Sequence, residues 1–279
     1  MKSDVTIIKP AGYDLASRVK ELIEYRDLIF MLVKRDFVAQ YKQTVLGPAW
    51  HIVQPLTTTL VLTIVFGKIA RLPTDGAPAF LFYLLGATLW TCFSSIAVAT
   101  SSTFIANAGL FGKVYFPRLV VPVATVASKL MGVLIQFGVF LAFLAYNAIT
   151  LQQVHPNPYV LLFPLLIAMV AVLSLAFGLI VSALTTRYRD LVVAVGFGIQ
   201  LLMYLTPVVY PISSLAPGWQ AIALLNPLAP IVEALRFAFL GTGTFYPAAL
   251  ALSAATTLCS LGLGLWLFRR VERNFMDTI

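Results

Sequence analysis

The feature that most constrains this chain is a series of long apolar runs. They cover residues 48–66, 80–100, 120–146, 159–185, 191–210 and 247–268. A helix needs about 20 mainly apolar residues to cross the hydrocarbon core of a bilayer. Each run is expected to be a helix, because within lipid every backbone polar group must be satisfied inside the segment. The sequence therefore predicts an all-α membrane protein with six transmembrane helices.

Composition and cysteine usage agree with this prediction. Hydrophobic residues make up 60% of the 279 residues and charged residues only 11%, whereas a soluble domain carries roughly 25% charged residues. The net charge of +8 does not indicate nucleic-acid binding, because the basic residues flank the apolar runs instead of forming a polar face. Cys92 and Cys259 lie inside apolar stretches and indicate neither a disulfide nor a metal site.

The distribution of Lys and Arg predicts the orientation of the chain. Fifteen of these nineteen residues lie in the N-terminal segment, the second and fourth connections and the C-terminal tail, whereas three lie in the other connections. The positive-inside rule then places both termini in the cytoplasm. Lys129 is the one full charge within a predicted span, and we expect it to extend towards the cytoplasmic interface. Residues 1–43 lack a signal-peptide core, so the first span is expected to direct insertion.

The chain is expected to divide into a cytoplasmic or interfacial segment, residues 1–47, and a transmembrane domain, residues 48–279. From Leu15 to Tyr41, apolar residues recur at helical spacing with charged residues between them, which is typical of an amphipathic helix. A break is expected near Arg26–Asp27. Such a helix lies in the membrane interface or packs on the protein's own cytoplasmic face, and the sequence leaves both open.

The connection between the fifth and sixth runs, residues 211–246, is unusual. It holds two apolar stretches, Trp219–Leu225 and Leu228–Leu240, separated by Asn226-Pro227. We expect two short re-entrant helices in the outer leaflet, because a long structureless loop at this depth would leave its backbone unsatisfied. Glu233 and Arg236 are spaced i, i+3, so their charges can neutralise each other on one helix face.

The motifs of common enzymes and ATPases are missing from the sequence. There is no GxxxxGK[ST] phosphate-binding loop, no HExxH motif and no pair of carboxylates within the runs. A membrane-embedded glycosyltransferase or hydrolase needs acidic or metal-binding groups in a cleft. We therefore assign no catalytic residue, metal or cofactor to this chain. It is expected to form a pathway that is either passive or powered by a separate subunit.

Several strings resemble the permeases of ABC-type polysaccharide exporters, the ABC-2 type permeases of O-antigen, teichoic acid and capsule export. The N-terminal ones are YRDL at 25–28, KRD at 34–36, YKQTVLGPAW at 41–50 and QPL at 54–56. Later ones are KVYFPR at 113–118, TPVVYP at 206–211 and NPL at 226–228. They occur in the family's order and cover nearly the whole chain.

The resemblance implies a half-transporter of the inner membrane. Two permease copies would pair as a homodimer, and each would bind a separate ATPase subunit that holds ATP and Mg²⁺, giving a two-plus-two complex. The cargo would be a lipid-linked polysaccharide. Ser174, Gly178 and Ser182 recur at i, i+4, i+8, a spacing that permits close helix approach either between subunits or within one.

The family also implies a short coupling helix, here Asn107 to Phe116 and stopped by Pro117, that docks on the ATPase. A rigid helix held between two spans can transmit a push into the membrane. Apolar residues expected to be exposed beside Lys113 favour docking over a plain loop. The residues assigned to coupling are Asn107, Leu110, Phe111, Lys113, Tyr115, Phe116 and Arg118.

Three further sets of residues are assigned to the transport path. The entrance, residues 13–43, includes Arg26, Lys34, Arg35, Tyr41 and Lys42. Sugar rings stack on aromatic faces, so the glycan path is assigned to Trp50, Tyr83, Trp90, Phe93, Tyr204 and Tyr210, although aromatic residues also form interfacial belts. The outer gate, residues 211–240, includes Pro211, Asn226, Pro227, Glu233 and Arg236.

The sequence leaves three other functions open. One is an ABC-2 type exporter whose cargo is a drug or a lipid. Another is a membrane enzyme of glycan assembly, which would require Glu233, Arg236 or His155 for turnover without any ATPase. The last is a passive channel, which would work without a partner.

Overall fold

The computed structural model describes residues 15–42, 44–111, 116–185 and 190–274. Every regular element in these ranges is helical, which confirms the predicted all-α class. The helices are α1 (Leu15–Glu24), α2 (Arg26–Tyr41), α3 (Trp50–Leu62), α4 (Ala79–Ser101), α5 (Thr103–Ala106), α6 (Ala108–Phe111), α7 (Val120–Tyr146), α8 (Phe163–Thr185), α9 (Leu191–Leu205), α10 (Pro217–Leu225), α11 (Leu228–Leu240) and α12 (Pro247–Asn274).

Five continuous helical segments in the described part of the chain are long and apolar enough to cross a membrane: Gly47–Ile69, Ala79–Ser101, Val120–Leu151, Pro158–Thr185 and Pro247–Val271. They contain α3, α4, α7, α8 and α12. The first begins with a 3₁₀ turn, Gly47–Ala49, and ends in a π-helical stretch, Thr63–Ile69. These segments match five of the six predicted spans.

The fifth predicted span, residues 191–210, is helical only as far as Leu205. Thr206 has an extended conformation, with φ −96° and ψ 141°. It precedes Pro207, and the ring of a proline disfavours the helical conformation of the residue before it. The 15 residues of α9 therefore extend about 22 Å, and residues 206–211 continue as non-helical chain that is buried except for the partly exposed Tyr210.

The two short helices predicted as a re-entrant pair are present as α10 and α11. The two helices are separated by Asn226-Pro227 and bent by 104°. Pro227 cannot donate a backbone hydrogen bond, so a continuous helix through this point is disfavoured. The break at the N-terminus was also expected, and it lies at Tyr25, between α1 and α2.

The centre of the bundle is α4, which packs against α8, α7 and α3. Gly178 of α8 is essential to this packing, because an added Cβ would lie within 2.6 Å of Thr100 Cβ on α4. Ser174 and Ser182 are also fully buried within the subunit. This small-residue spacing therefore serves helix packing inside one chain, and the alternative of a contact between subunits is not needed to explain it.

Helix α2 packs on one end of the helix bundle. Its buried residues, Leu32 and Val33, belong to a cluster with Val120, Val121 and Ala124 of α7. Leu28 and Ile29 pack partly against the same cluster, whereas Phe30 and Met31 are 67% and 60% exposed. One face of α2 is thus fixed to the bundle and the other remains open to lipid.

Candidate functional site

The link between α9 and the re-entrant pair is held by Asn226. Its side-chain amide donates a hydrogen bond of 2.9 Å to Thr206 Oγ1, and its Oδ1 accepts one of 3.1 Å from the backbone N–H of Leu228. The hydroxyl of Ser253 on α12 donates to the Pro227 carbonyl at 2.6 Å. The break at Asn226-Pro227 is therefore hydrogen-bonded to the end of α9 and to α12.

Arg236 and Glu233 form the ion pair that their spacing predicted, and both are fully buried. Arg236 Nη1 lies 3.1 Å from Glu233 Oε1, and the exposed fractions of the two residues are 1% and 2%. Arg236 also donates to the carbonyls of Val208, at 2.8 Å, and Tyr210, at 3.3 Å. Buried charges are tolerated when they are paired and hydrogen-bonded in this way.

The pair joins α11 to three other segments. The Arg236 guanidinium lies 3.6 Å from the centroid of the Phe82 ring on α4, which is cation–π geometry. Glu233 Oε1 accepts a hydrogen bond of 3.3 Å from the backbone N–H of Ile212. The next residue, Ser213, donates to Asp75 in the connection between α3 and α4 at 2.6 Å. These contacts form one connected polar network at the end of the bundle that holds Glu233 and Arg236.

A cavity of about 580 Å³ lies beside this network. It is open on one side and lined by residues of α4, α8, α9, α10, α11 and α12, and its aromatic lining is Phe93, Phe177, Tyr210 and Trp219. Two of these, Phe93 and Tyr210, belong to the aromatic residues predicted to form the path. The remaining lining is almost wholly aliphatic, so the cavity offers few hydrogen-bonding groups to a sugar chain.

The structure does not bring all six predicted path residues to one surface. Tyr83 is completely buried, and Trp90 is only 9% exposed; both belong to the central core. Trp50 on α3 and Tyr204 on α9 instead have exposed fractions of 49% and 56%. These two side chains point away from the core of the subunit.

The entrance residues also separate into two groups. Arg26, Lys34, Arg35 and Lys42 are exposed, and Arg35 forms an ion pair of 2.8 Å with Asp36. Tyr41 instead packs against the bundle, with its ring centroid 5.6 Å from that of His51. The cationic surface of α2 is therefore available to other molecules, while the end of α2 contacts the first span.

The predicted coupling segment is partly described. Lys113 and Tyr115 lie outside the described residues, and the short helix α6 ends at Phe111. Phe111 and Phe116 were expected to be exposed, but they are 6% and 7% exposed and pack in the cluster that contains Phe268 of α12. That expectation was wrong because α12 extends to the same end of the bundle, where its Phe268 packs in the cluster that buries them.

Other residues are exposed at this end. Ile105 is 39% exposed, and Ala106 and Gly109 are also exposed. The side-chain amide of Asn107 donates to the Thr103 carbonyl at 3.0 Å and stabilises the end of α5. Leu110 packs partly against the buried cluster, and the Arg118 guanidinium lies 5.6 Å from the Phe111 ring centroid.

Sequence reasoning missed Asp75, Ser213 and Phe82 as members of the Glu233–Arg236 network. Asp75-Gly76 is a turn signal that was available, and both residues have positive φ, 52° and 85°. Nothing in the sequence pairs this turn with Ser213, which lies 138 residues later.

The comparison with known families decides what this bundle is. Residues 27–240, well over half of the chain, match the model of the ABC-2 type transporter family. The protein belongs to this family. An ABC-2 permease is a multi-pass membrane transport subunit, so it is not an enzyme, and it works with a separate ABC ATPase that supplies the nucleotide chemistry. The ABC-2 permease itself binds no cofactor.

Individual relatives cover most of this ABC-2 permease. The O-antigen export system permease protein RfbA of Klebsiella pneumoniae is 26% identical over 253 residues, or 91% of this chain and 95% of RfbA. The polysialic acid transport protein KpsM of Escherichia coli is 26% identical over 88% of this chain and 94% of KpsM. The inner membrane transport permease YadH of Escherichia coli (strain K12) is 27% identical over 68% of this chain and 75% of YadH.

Proposed function

We propose that this ABC-2 permease exports a lipid-linked polysaccharide across the inner membrane. The observation that carries the proposal is the similarity to RfbA and KpsM over about nine-tenths of the chain. Residues 1–47 would form a cytoplasmic, interfacial segment and residues 48–279 the transmembrane domain. Both termini would lie in the cytoplasm, as the Lys and Arg distribution predicts.

The polymer would pass between two permease copies in a two-plus-two complex. The cavity within one subunit is too apolar for a sugar chain, which carries hydroxyl groups that need hydrogen-bond partners. The exposed aromatic residues Trp50 and Tyr204 lie on helices with large exposed faces. Pairing two copies through these faces would enclose them and line a path with stacking surfaces. Phe93 and Tyr210, which line the cavity within each subunit, would lie beside this path.

The ATPase would dock on the cytoplasmic segment Asn107 to Arg118 and on the two residues that precede it. Since Phe111 and Phe116 are used for internal packing, we assign the docking surface to the exposed residues Ile105, Ala106 and Gly109, together with Asn107. The buried phenylalanines would connect this surface to α12, so that movement of the ATPase moves the helix bundle as a rigid body.

The entrance would be shaped by α1 and α2, whose exposed Arg26, Lys34, Arg35 and Lys42 attract anionic headgroups at the cytoplasmic surface. The outer gate would be the α10–α11 pair with Pro211, Asn226 and Pro227. The Glu233–Arg236 pair would act as its anchor, because it fixes α11 to residues 208–212.

Depletion of the chain in its host tests this function. If the proposal is right, surface polysaccharide falls while lipid-linked polysaccharide accumulates in the inner membrane. A fall in both pools would place the chain in synthesis and contradict export. No change in either pool would show that the cargo is another molecule, such as a drug or a lipid.

A further inference from the structure

Helix α10 carries large apolar side chains that the described part of the chain leaves more than half exposed. None of its nine residues is buried, and Trp219, Ile222 and Leu225 are 65%, 57% and 67% exposed. In proteins, a helix this short is stabilised mainly by the packing of its apolar face. The packing partner of α10 is therefore expected to be a molecule other than the described part of the chain.

The cavity of about 580 Å³ borders α10. Trp219 and Ile222 line it from α10, whereas Leu173, Phe177 and Ile180 line it from one face of α8. Since Trp219 and Ile222 line the cavity and are also more than half exposed, they lie at its open side. The missing packing partner of α10 is thus expected inside this cavity.

The cavity lies between long apolar helices and reaches the core of the bundle. Leu202 of α9 and Ser260 of α12 line it, and both helices pack on α8. Its lining also includes Phe93 of α4, which is only 3% exposed. The segments that contain α8 and α12 are long and apolar enough to cross a membrane. An opening between such helices that is bordered by apolar side chains faces lipid.

The size and chemistry of the cavity exclude two kinds of occupant. An α-helix with its side chains is about 10 Å across, so 580 Å³ would hold only about 7 Å of its length, which is too little for a helix of a second copy. A sugar chain needs hydrogen-bond partners, and the mainly aliphatic and aromatic lining supplies few. A narrow, flexible hydrocarbon chain has neither disadvantage.

We propose that this cavity binds one acyl chain of a bilayer phospholipid, and that the bound chain is the packing partner of α10. An unfilled apolar cavity forfeits dispersion contacts, which a hydrocarbon chain restores. Phospholipid is the solvent of a membrane protein, so its acyl chains are in large excess over other apolar molecules and fill such a site by mass action. The site goes beyond the proposed export of polysaccharide and does not depend on the cargo.

Photolabelling tests the site in the permease–ATPase complex in nanodiscs. The probe is a phosphatidylcholine with a diazirine near the end of one acyl chain, and labelled peptides are identified by mass spectrometry after irradiation. We expect label within residues 173–180 of α8. No residue of this segment is exposed, so a lipid chain reaches it through the cavity and not from the surrounding bilayer.

Two alanines of α10 provide a matched pair of variants. Ala223 lines the cavity, so Ala223→Phe places a ring in the space of the chain and should reduce labelling of residues 173–180 at least about fivefold. Ala221 is exposed and lies outside the lining, so Ala221→Phe should be labelled like the wild type. Ser260→Phe and Cys259→Phe form a second pair on α12, since Ser260 lines the cavity and Cys259 is exposed outside it.

Every outcome decides the proposal, and the second pair of variants replaces the first if Ala223→Phe does not fold. Loss of label at residues 173–180 in a cavity-filling variant, with retention in its control, supports the site. Equal labelling in both members of a folded pair would overturn it. Absence of label in the wild type would overturn it too, and label at the same residues from a diazirine-bearing farnesol would then identify an isoprenyl chain as the occupant.

Backbone hydrogen exchange of residues 217–225 tests the role of the chain as the packing partner of α10. Phosphatidylcholine added to the delipidated complex in detergent should slow this exchange severalfold in the wild type. The effect should be smaller in Ala223→Phe, where the added ring supplies the packing. Exchange that does not respond to the lipid would overturn this role. If the site is confirmed but depletion of the chain leaves surface polysaccharide unchanged, only the cargo assignment is wrong.

Discussion

Arg236 of α11 stacks its guanidinium over the ring of Phe82 on α4, at 3.6 Å from the ring centroid. The same guanidinium donates to Val208 and Tyr210, so a single side chain joins the re-entrant pair, the central helix and the end of α9. Gly86 permits this arrangement, because an added Cβ there would lie 2.8 Å from the Val208 carbonyl oxygen and 3.3 Å from Arg236 Nη2.

Removing one member of the buried pair is expected to destabilise the protein strongly. Arg236→Met or Glu233→Gln should cost about 3–5 kcal/mol, because each leaves a buried charge or carbonyl without its partner. The double variant Glu233→Leu with Arg236→Met should lose less than the sum of the two. Thermal unfolding of the purified permease measures both. Arg35→Met, at an exposed pair, is the control and should change stability by no more than about 1 kcal/mol. If the double variant lost as much stability as the two single variants together, Glu233 and Arg236 would not be energetically coupled.

Gly178→Ala is expected to disrupt the contact between α8 and α4. The added methyl would overlap the Thr100 side chain, and overpacking of this kind costs about 1–3 kcal/mol. Folded yield and melting temperature in detergent provide the measurement. Gly138→Ala, at a helical glycine with open space around it, is the matched control. If the melting temperature of Gly178→Ala equals that of the wild type, α8 and α4 can move apart to accommodate the methyl group without a loss of stability.

Trp50→Ala and Tyr204→Ala are expected to reduce export severalfold while leaving the melting temperature nearly unchanged, because both side chains are exposed in the subunit. Tyr83→Ala should instead lower stability by about 3–5 kcal/mol, as for other large core truncations. Surface polysaccharide in complemented cells and melting of the purified protein give the two readouts. Normal export by the Trp50 and Tyr204 variants would remove them from the path.

Ile105→Asp is expected to abolish or greatly weaken capture of the ATPase while the permease remains folded. A charge at the centre of an apolar docking surface remains unpaired when it is desolvated. Co-purification of the two subunits measures this effect. Phe111→Ala serves as the contrast, since it should lower permease stability through loss of core packing. Wild-type ATPase recovery with Ile105→Asp would move the docking surface elsewhere.

Reporter fusions test the orientation of the chain. A reporter that is active only in the cytoplasm should be active at both the N-terminus and the C-terminus, and inactive when it is inserted at Asp75-Gly76. An active reporter at Asp75-Gly76 would show that this connection lies in the cytoplasm and that the predicted orientation is wrong.

Local chemistry made some elements predictable. The break at Asn226-Pro227 follows from the missing proline N–H, and the Glu233–Arg236 pair follows from helical spacing. The partners of Arg236 were not predictable, because the Val208 carbonyl becomes free only where α9 ends early. The burial of Phe111 and Phe116 was missed for a similar reason, since it depends on Phe268, more than 150 residues further along the chain. Spacing reveals contacts within one helix, but it does not reveal which distant helix covers them.

The early end of α9 also bears on the membrane itself. A helix of about 22 Å is shorter than a hydrocarbon layer of about 30 Å, and such mismatch is relieved when lipids beside the helix compress and the layer thins. Any part of α9 that faces lipid outside the paired surface would therefore draw the two leaflets together. A charged headgroup that crosses there would meet a narrower dielectric barrier than it would in the undisturbed bilayer.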